Sequence, residues 1–336
     1  MNHPALAVPP DSIGSPQLWT ITVLVLLGLL AADFAVTRRP HEVGMREAMA
    51  WTLFYLSLPV AFALLVWSVF GSTPALEFFT GYVLEKSLSA DNLFVFMLLL
   101  AAFAVPSELA QRVLLYGIAG ALALRAVFIA AGAAVLSTGA WAFLLFGTVL
   151  LVMAVKVVRS ALQERGYQVR VNDLRVVRLL RRLMPVTADY VGPRLLGRVA
   201  GRRALTPMAL VVAAVFMTDI VFAFDSVPAV YGVTSDPYLV FATNAFALLG
   251  LRALYFVLHG SLRSLRHLNH GLGIILGFIG VKLIVQWAHD TWPEVPEIPT
   301  LLSLLVVVVA LATVTATSLA ADRRDRMRRA AGETAR

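Results

Sequence analysis

The chain has no cysteine among its 336 residues. That absence excludes disulfides, thiolate metal sites and cysteine nucleophiles together. Charge is scarce as well: 14% of residues are Asp, Glu, Lys or Arg, against about a quarter in an ordinary soluble domain. None of the six histidines, at positions 3, 41, 259, 267, 270 and 289, falls inside a hydrophobic run, which disfavours the His-rich sites that zinc and copper prefer. Nothing resembles a P-loop, so direct ATP hydrolysis is not expected. No basic n-region precedes the first apolar run, so Leu18–Val36 reads as a retained span and not as a cleaved signal peptide.

What is there is apolar. Hydrophobic residues make up 59% of the chain and the mean hydropathy is +0.80, values that point to a bilayer. A hydrocarbon core takes about 20 mostly apolar residues per helix. Nine segments meet that measure: Leu18–Val36, Met49–Phe70, Ala75–Val105, Arg112–Leu136, Trp141–Val158, Leu205–Val230, Pro237–Leu258, Gly271–Trp287 and Pro299–Leu319. The expected fold is therefore all-α, a polytopic transmembrane helical bundle. Lys and Arg avoid alternate connections: Gly71–Pro74, Ser137–Ala140, Tyr231–Asp236 and His289–Ile298 have none, whereas Arg159–Arg203 carries eleven arginines. The positive-inside rule then puts the N-terminus outside and the C-terminus in the cytoplasm, most naturally across a bacterial inner membrane. Residues 1–320 read as one transmembrane domain, and 321–336 as a basic, disordered cytoplasmic tail. Within the 159–204 connection, Asp173–Met184 repeats apolar residues at helical spacing among arginines. It reads as an amphipathic helix on anionic lipid head groups. No basic domain stands apart from the spans, so a nucleic-acid partner is not expected.

An internal repeat is visible. Glu85, Asp91 and Asn92 in the third span match Asp219, Asp225 and Ser226 in the sixth. Arg125 in the fourth, between Leu124 and Ala126, matches Arg252 in the seventh, between Leu251 and Ala253. Gly147 and Lys156 in the fifth match Gly273 and Lys282 in the eighth. Residues 75–158 and 205–287 thus form two triplets, and the loop charges make them antiparallel. Inverted repeats are common in secondary transporters, with sites at the repeat interface near the midplane.

Intramembrane acids are expensive and mark ion paths. Asp91, Asn92, Asp225 and Ser226, with Glu85 and Asp219 in support, offer carboxylate, amide and hydroxyl oxygens. That set suits Mg²⁺, Ca²⁺ or Mn²⁺. Six residues separate the two acids of each span, about 9 Å and roughly 120° off one helix face. Either a helix unwinds locally, as Pro228 would allow, or the acids form layers. The layered expectation has Asp91 and Asp225 meeting centrally, with Glu85 and Asp219 as outer and inner gates. Arg125, Lys156, Arg252 and Lys282 would neutralise the acids when no ion is present, and Lys86 would pair locally with Glu85 or tether the helix outward.

At these residues the sequence resembles the TerC integral membrane protein family, which includes Alx-type manganese exporters. The resemblance is carried by Thr80–Phe96 (TGYVLEKSLSADNLFVF), Asp219–Val230 (DIVFAFDSVPAV), Thr234–Pro237 (TSDP) and Phe241–Phe256 (FATNAFALLGLRALYF). A further likeness is Arg39–Val43 (RPHEV) with Arg46, Glu47 and Ala48. It implies metal handling at the membrane, manganese efflux foremost, with Glu85, Asp91, Asn92, Asp219, Asp225 and Ser226 on the ion path. The resulting expectation is a transporter that exports a divalent cation, Mn²⁺ first, in exchange for protons. It is not expected to be an enzyme or to hold a resident cofactor. The alternative is a non-transporting membrane scaffold of a tellurite or metal-stress resistance complex.

Overall fold

The computed structural model describes residues 12–36, 45–162, 171, 174–199, 201–251, 254–255, 268–292 and 294–334, with the backbone alone at 36, 45, 90–91, 160–162, 268–270, 319 and 321–334. The helices are α1 (Pro16–Val36), α2 (Met45–Phe70), α3 (Ser72–Ala102), α4 (Ser107–Leu136) and α5 (Trp141–Leu162). After them come α6 (Arg175–Leu183), α7 (Pro207–Tyr231), α8 (Pro237–Leu249), α9 (Leu268–Thr291) and α10 (Thr300–Thr334). Between α6 and α7 a short antiparallel hairpin pairs β1 (Leu196–Val199) with β2 (Arg202–Leu205). The sequence pattern does not signal this hairpin, because its strands are rich in arginine and lack an alternating apolar face.

Each expected span coincides with a helix. Among the described residues, seven helices are long and apolar enough to cross a membrane: α1, α2, α4, α5, α7, α9 and α10. The third span, α3, is long enough at about 46 Å, but Glu77, Glu85, Lys86 and Asp91 make it unusually charged. In the seventh, the described helix α8 covers 13 residues. Charge, and not length, therefore separates α3 from its neighbours.

Local chemistry sets the breaks. Gly71, at φ 91°, makes the tight turn between α2 and α3, a backbone region that glycine enters without a steric penalty. Thr206 caps α7 by accepting from Ala209 N, and Asp236 caps α8 by accepting from Tyr238 N at 2.9 Å. In both cases a proline, which needs no hydrogen-bond partner at that position, opens the helix. Asp236 also receives Ser12 Oγ at 2.6 Å and Ile13 N at 2.9 Å, which ties the segment before α1 to the start of α8.

Two expectations fail here. The residues after Ser318 continue α10 as helix to Thr334 instead of forming a disordered tail. Their alanines, arginines and Met327 are strong helix formers that extend a rod the span has already nucleated. Around Pro228, α7 runs unbroken from Pro207 to Tyr231. The proline sits in the last turn, where little helix is left to disrupt, so the site is not built from unwound backbone.

Packing places α1, α2 and α10 at the periphery, where Leu24, Leu53, Leu64, Trp67, Leu301 and Leu305 are exposed for contact with lipid. Inside, α3 and α4 each lie against both α7 and α8, and α5 lies along α9. Exchanging the third, fourth and fifth spans with the sixth, seventh and eighth leaves this set of neighbours unchanged. The α5–α9 crossing follows the same rule in detail. A Cβ on Gly147 would sit 2.7 Å from the carbonyl oxygen of Gly280, and one on Gly273 would sit 3.5 Å from that of Ala154. The alignment that pairs Gly147 with Gly273 also pairs Ala154 with Gly280. Small residues let two backbones approach where no water drives helices together.

One apolar cluster gathers Tyr231, Val233, Tyr238 and Phe78 towards the end of the bundle that carries Gly71 and the α7–α8 connection. Another gathers Phe103, Leu109, Val177 and Met208 at the end that carries α6 and the hairpin. Val177 anchors α6 there with none of its surface exposed, and Tyr190 Oη donates to the Phe103 carbonyl at 2.9 Å. The amphipathic helix expected at Asp173–Met184 is thus present as α6 and is docked by its apolar edge.

Candidate functional site

Between the two clusters lies a buried group of charges. Arg125 of α4 is fully buried, as is Glu85 of α3, and Asp219 of α7 is 1% exposed. Arg125 Nη1 donates to Glu85 Oε1 and to Asn244 Oδ1 of α8, the latter at 2.7 Å. Arg125 Nη2 lies 3.6 Å from Asp219 Oδ1. Asn244 is held in turn by its Nδ2, which donates to the Val240 carbonyl at 2.9 Å. One guanidinium therefore draws on α3, α7 and α8 together. Asp225, half-buried on α7, acts on Arg125 through its field.

The oxygens left over matter more than the bonds made. Glu85 Oε2, Asp219 Oδ2, Ser89 Oγ, Ser226 Oγ and Tyr82 Oη are buried with no hydrogen-bond partner among the described residues. Buried polar atoms are rarely left so, because each orphan costs about 1–3 kcal/mol. On α3, Tyr82, Glu85, Ser89 and Asn92 recur at spacings of three and four residues, which places them on one face. On α7, Asp219 and Ser226 are seven apart, again on one face, and α7 packs against α3. Among the described residues no three His, Asp or Glu side chains form a ready metal cluster. The arrangement offers two carboxylates and several hydroxyl oxygens, and one arginine is its counter-ion.

Several expectations change. Glu85 and Asp219 meet at a single guanidinium, so they share one depth and are not outer and inner gates. Helix geometry explains the shift: Asn92 and Ser226, seven residues on, fall on the Glu85 and Asp219 faces, while position 225, six residues on from Asp219, is about 120° off that face. The side chain of Asp91 and all of Arg252 lie outside the described residues. Asn92 is 5% exposed and Ser226 1%. Lys86 does not pair with Glu85; its Nζ donates to the Ala247 carbonyl of α8 at 3.2 Å, an inward tether. Lys156 is exposed on α5 and takes no part in the centre. Lys282 sits elsewhere, near Glu77 and Glu297. Of the four expected neutralising bases, Arg125 alone is seen to serve among the described residues. Asp33 of α1 is also buried, at 2% exposed.

Ser89, Tyr82 and Asn244 were not among the expected site residues. The signal for the first two was present, since both lie on the Glu85 face at i+4 and i−3. Asn244 is a lone amide in thirteen otherwise apolar or hydroxyl-bearing residues of α8, but only the fold shows what it supports.

Comparison with known proteins decides the family, for residues 70–326 match the integral membrane protein TerC family. The chain belongs to the TerC family. A membrane protein of Mycobacterium tuberculosis is 42% identical to this TerC family chain over 279 residues, covering 82% of the chain and 70% of the relative. One from Myxococcus xanthus is 39% identical over 285 residues, 84% and 88% of the two lengths. A relative from Escherichia coli, named for a membrane-bound redox modulator, Alx, is 38% identical over 290 residues, 83% and 89%. No solved structure matches the chain.

Proposed function

We propose that this TerC family protein exports a divalent metal ion, Mn²⁺ foremost, from the cytoplasm. The observation that carries the reading is the set of orphaned, hard oxygens around Glu85 and Asp219. Glu85, Asp219 and Arg125 sum to one negative charge, a balance that admits a dication while the guanidinium holds the empty site together. The ion would be held by Glu85 Oε2, Asp219 Oδ2 and the hydroxyls of Ser89 and Ser226, with Asn92 close by on the same face. Asp225, off that face, and Asp91 would then serve the path and not the central seat. Asn244 orients Arg125, so that the base need not leave its pocket when the ion arrives.

The two triplets are proposed to act as an inverted repeat about this centre, a reading supported by the exchange-symmetric packing. Loop charges support an N-terminus outside and a C-terminus in the cytoplasm of an inner membrane, with α6 facing anionic lipid heads. Proton exchange would supply the driving force, because two buried carboxylates that lose a dication can each take a proton. A redox function, suggested by the name of the Escherichia coli relative, would need chemistry other than thiols, since this chain has no cysteine.

The test is purified protein in sealed vesicles, with Mn²⁺, Mg²⁺, Ca²⁺ and Zn²⁺ offered in turn. Accumulation of Mn²⁺ that depends on a proton gradient, and is absent in a Glu85→Gln variant of normal yield, is the expected result. Vesicles that move no cation would leave the scaffold reading in its place.

A further inference from the structure

A cavity of about 140 Å³ lies at the end of the bundle opposite α6. Its wall includes Glu77 of α3, Phe143 of α5, Thr234 after α7, Lys282 and Gln286 of α9, and Glu297 ahead of α10. It shares no residue with the Arg125 centre. On the export reading this end faces outward.

Lys282 is the unusual member. It is 7% exposed, it lines the cavity, and its ammonium makes no hydrogen bond or ion pair among the described residues. The charges that face it are Glu297 and Glu77, both beyond ion-pair distance. Glu77 accepts from Thr234 Oγ1 at 2.6 Å and also feels Asp236 and Glu297. A buried ammonium without a partner is costly, and at Lys282 that cost is offset by the field of the two acids across the cavity. Two lining carboxylates outweigh one ammonium, and Asp236 beside them adds a third negative charge. The space therefore favours a cation over an anion.

We propose that this cavity is a second cation site, in which a hydrated divalent ion seats between Glu77 and Glu297 in competition with the tethered ammonium of Lys282. The volume has room for several waters, so the ion keeps part of its shell and binds weakly. Weak binding is what an exit site requires: an ion leaving the centre is received here, and Lys282 displaces it outward. The proposal rests on the export reading for its direction, but the site itself binds whether or not export occurs.

The probe is Mn²⁺ alone, titrated into the full-length protein in detergent, with free Mn²⁺ followed by its electron paramagnetic resonance signal. Wild type is expected to show a tight class and a weak class of sites. Lys282→Gln should tighten the weak class roughly tenfold, the scale of repulsion between a +1 and a +2 charge about 6 Å apart in water-like surroundings. Lys282→Arg should behave as wild type, and Glu77→Gln and Glu297→Gln should each abolish the weak class. In a Glu85→Gln/Asp219→Asn background the tight class should vanish and the weak one persist. A weak class that is absent from wild type, or is indifferent to Lys282→Gln and Glu297→Gln, overturns the second site. A tight class absent from wild type, with the weak class responding as stated, would count against the central site and leave this one standing.

Discussion

The α5–α9 pair and the α3–α4–α7–α8 core are joined by opposite means. The pair is made of small residues: Gly147, Gly273 and Gly280 bring two backbones into contact, and the two charges along α5, Lys156 and Arg159, are turned out. The core is held by a guanidinium shared among three helices. Small-residue packing satisfies every atom it touches, so it leaves nothing for a ligand to complete. The charged junction leaves carboxylate and hydroxyl oxygens open. The difference separates scaffold from working part, and six substitutions would sharpen or break it.

The largest effect is expected from Arg125→Met. It strands Glu85 and Asp219 in the interior, and breaking a buried pair in this way costs about 3–5 kcal/mol. Folded yield, read by size exclusion in detergent, should collapse along with export. Adding Glu85→Gln and Asp219→Asn to the same chain should restore the yield but not the export. If Arg125→Met folds and transports normally, the junction is not the centre.

Next come Glu85→Gln and Asp219→Asn taken singly. Each keeps the shape of the side chain and leaves Arg125 one acid, so the protein should assemble. Vesicle export of Mn²⁺ should fall at least about a hundredfold, as expected when about 3 kcal/mol of ion binding is removed. Asp225→Asn should do less, because that acid lies off the Glu85–Asp219 face and is only half-buried.

Gly280→Leu attacks the other region. A Cβ there would lie 3.0 Å from the carbonyl oxygen of Gly147, and overpacking of this kind costs about 1–3 kcal/mol. Thermal unfolding in detergent should move to lower temperature while the affinity of the centre for Mn²⁺ holds. A matching loss of affinity would mean that the two regions are coupled and not separate.

Ser89→Ala is the smallest and the most diagnostic. Removing a hydroxyl that has no hydrogen-bond partner among the described residues should leave stability unchanged or slightly raised, within about 0.5 kcal/mol. Mn²⁺ affinity should still drop several-fold. A drop in stability instead would show that Ser89 is already satisfied by the protein.

Much of this was legible in the sequence. Apolar runs located the helices, because spans must satisfy their own backbones and so advertise themselves. The paired motifs singled out α3 and α7, whose Glu85 and Asp219 meet at Arg125, with Asn92 and Ser226 buried on the same two helices. What was not legible was depth. Spacing along one helix says nothing of how far that helix slides against its neighbour, so Glu85 and Asp219 looked like separate layers until α4 set Arg125 between them. Neither Asn244 as the holder of that arginine nor the isolation of Lys282 follows from a one-dimensional pattern, for both depend on which helices become neighbours. The hairpin at Leu196–Leu205 escaped for a simpler reason: its strands carry three arginines and bury almost nothing but Ala204.

The continuity of α10 has a mechanical consequence. Its apolar part ends near Ser318, yet the helix runs on to Thr334, about 24 Å further. At the other extremity its first turn, at Thr300, borders the Lys282 cavity, and along its length it leans on α3 and α9. A rod gripped by those two helices and continued well past its apolar part works as a lever arm. Small rotations among the gripping helices are magnified there into displacements of several ångströms. Since the chain has no native thiol, one cysteine introduced near the tip would carry a spin label or dye without background, and the motion of the interior could be read from a position that touches none of it.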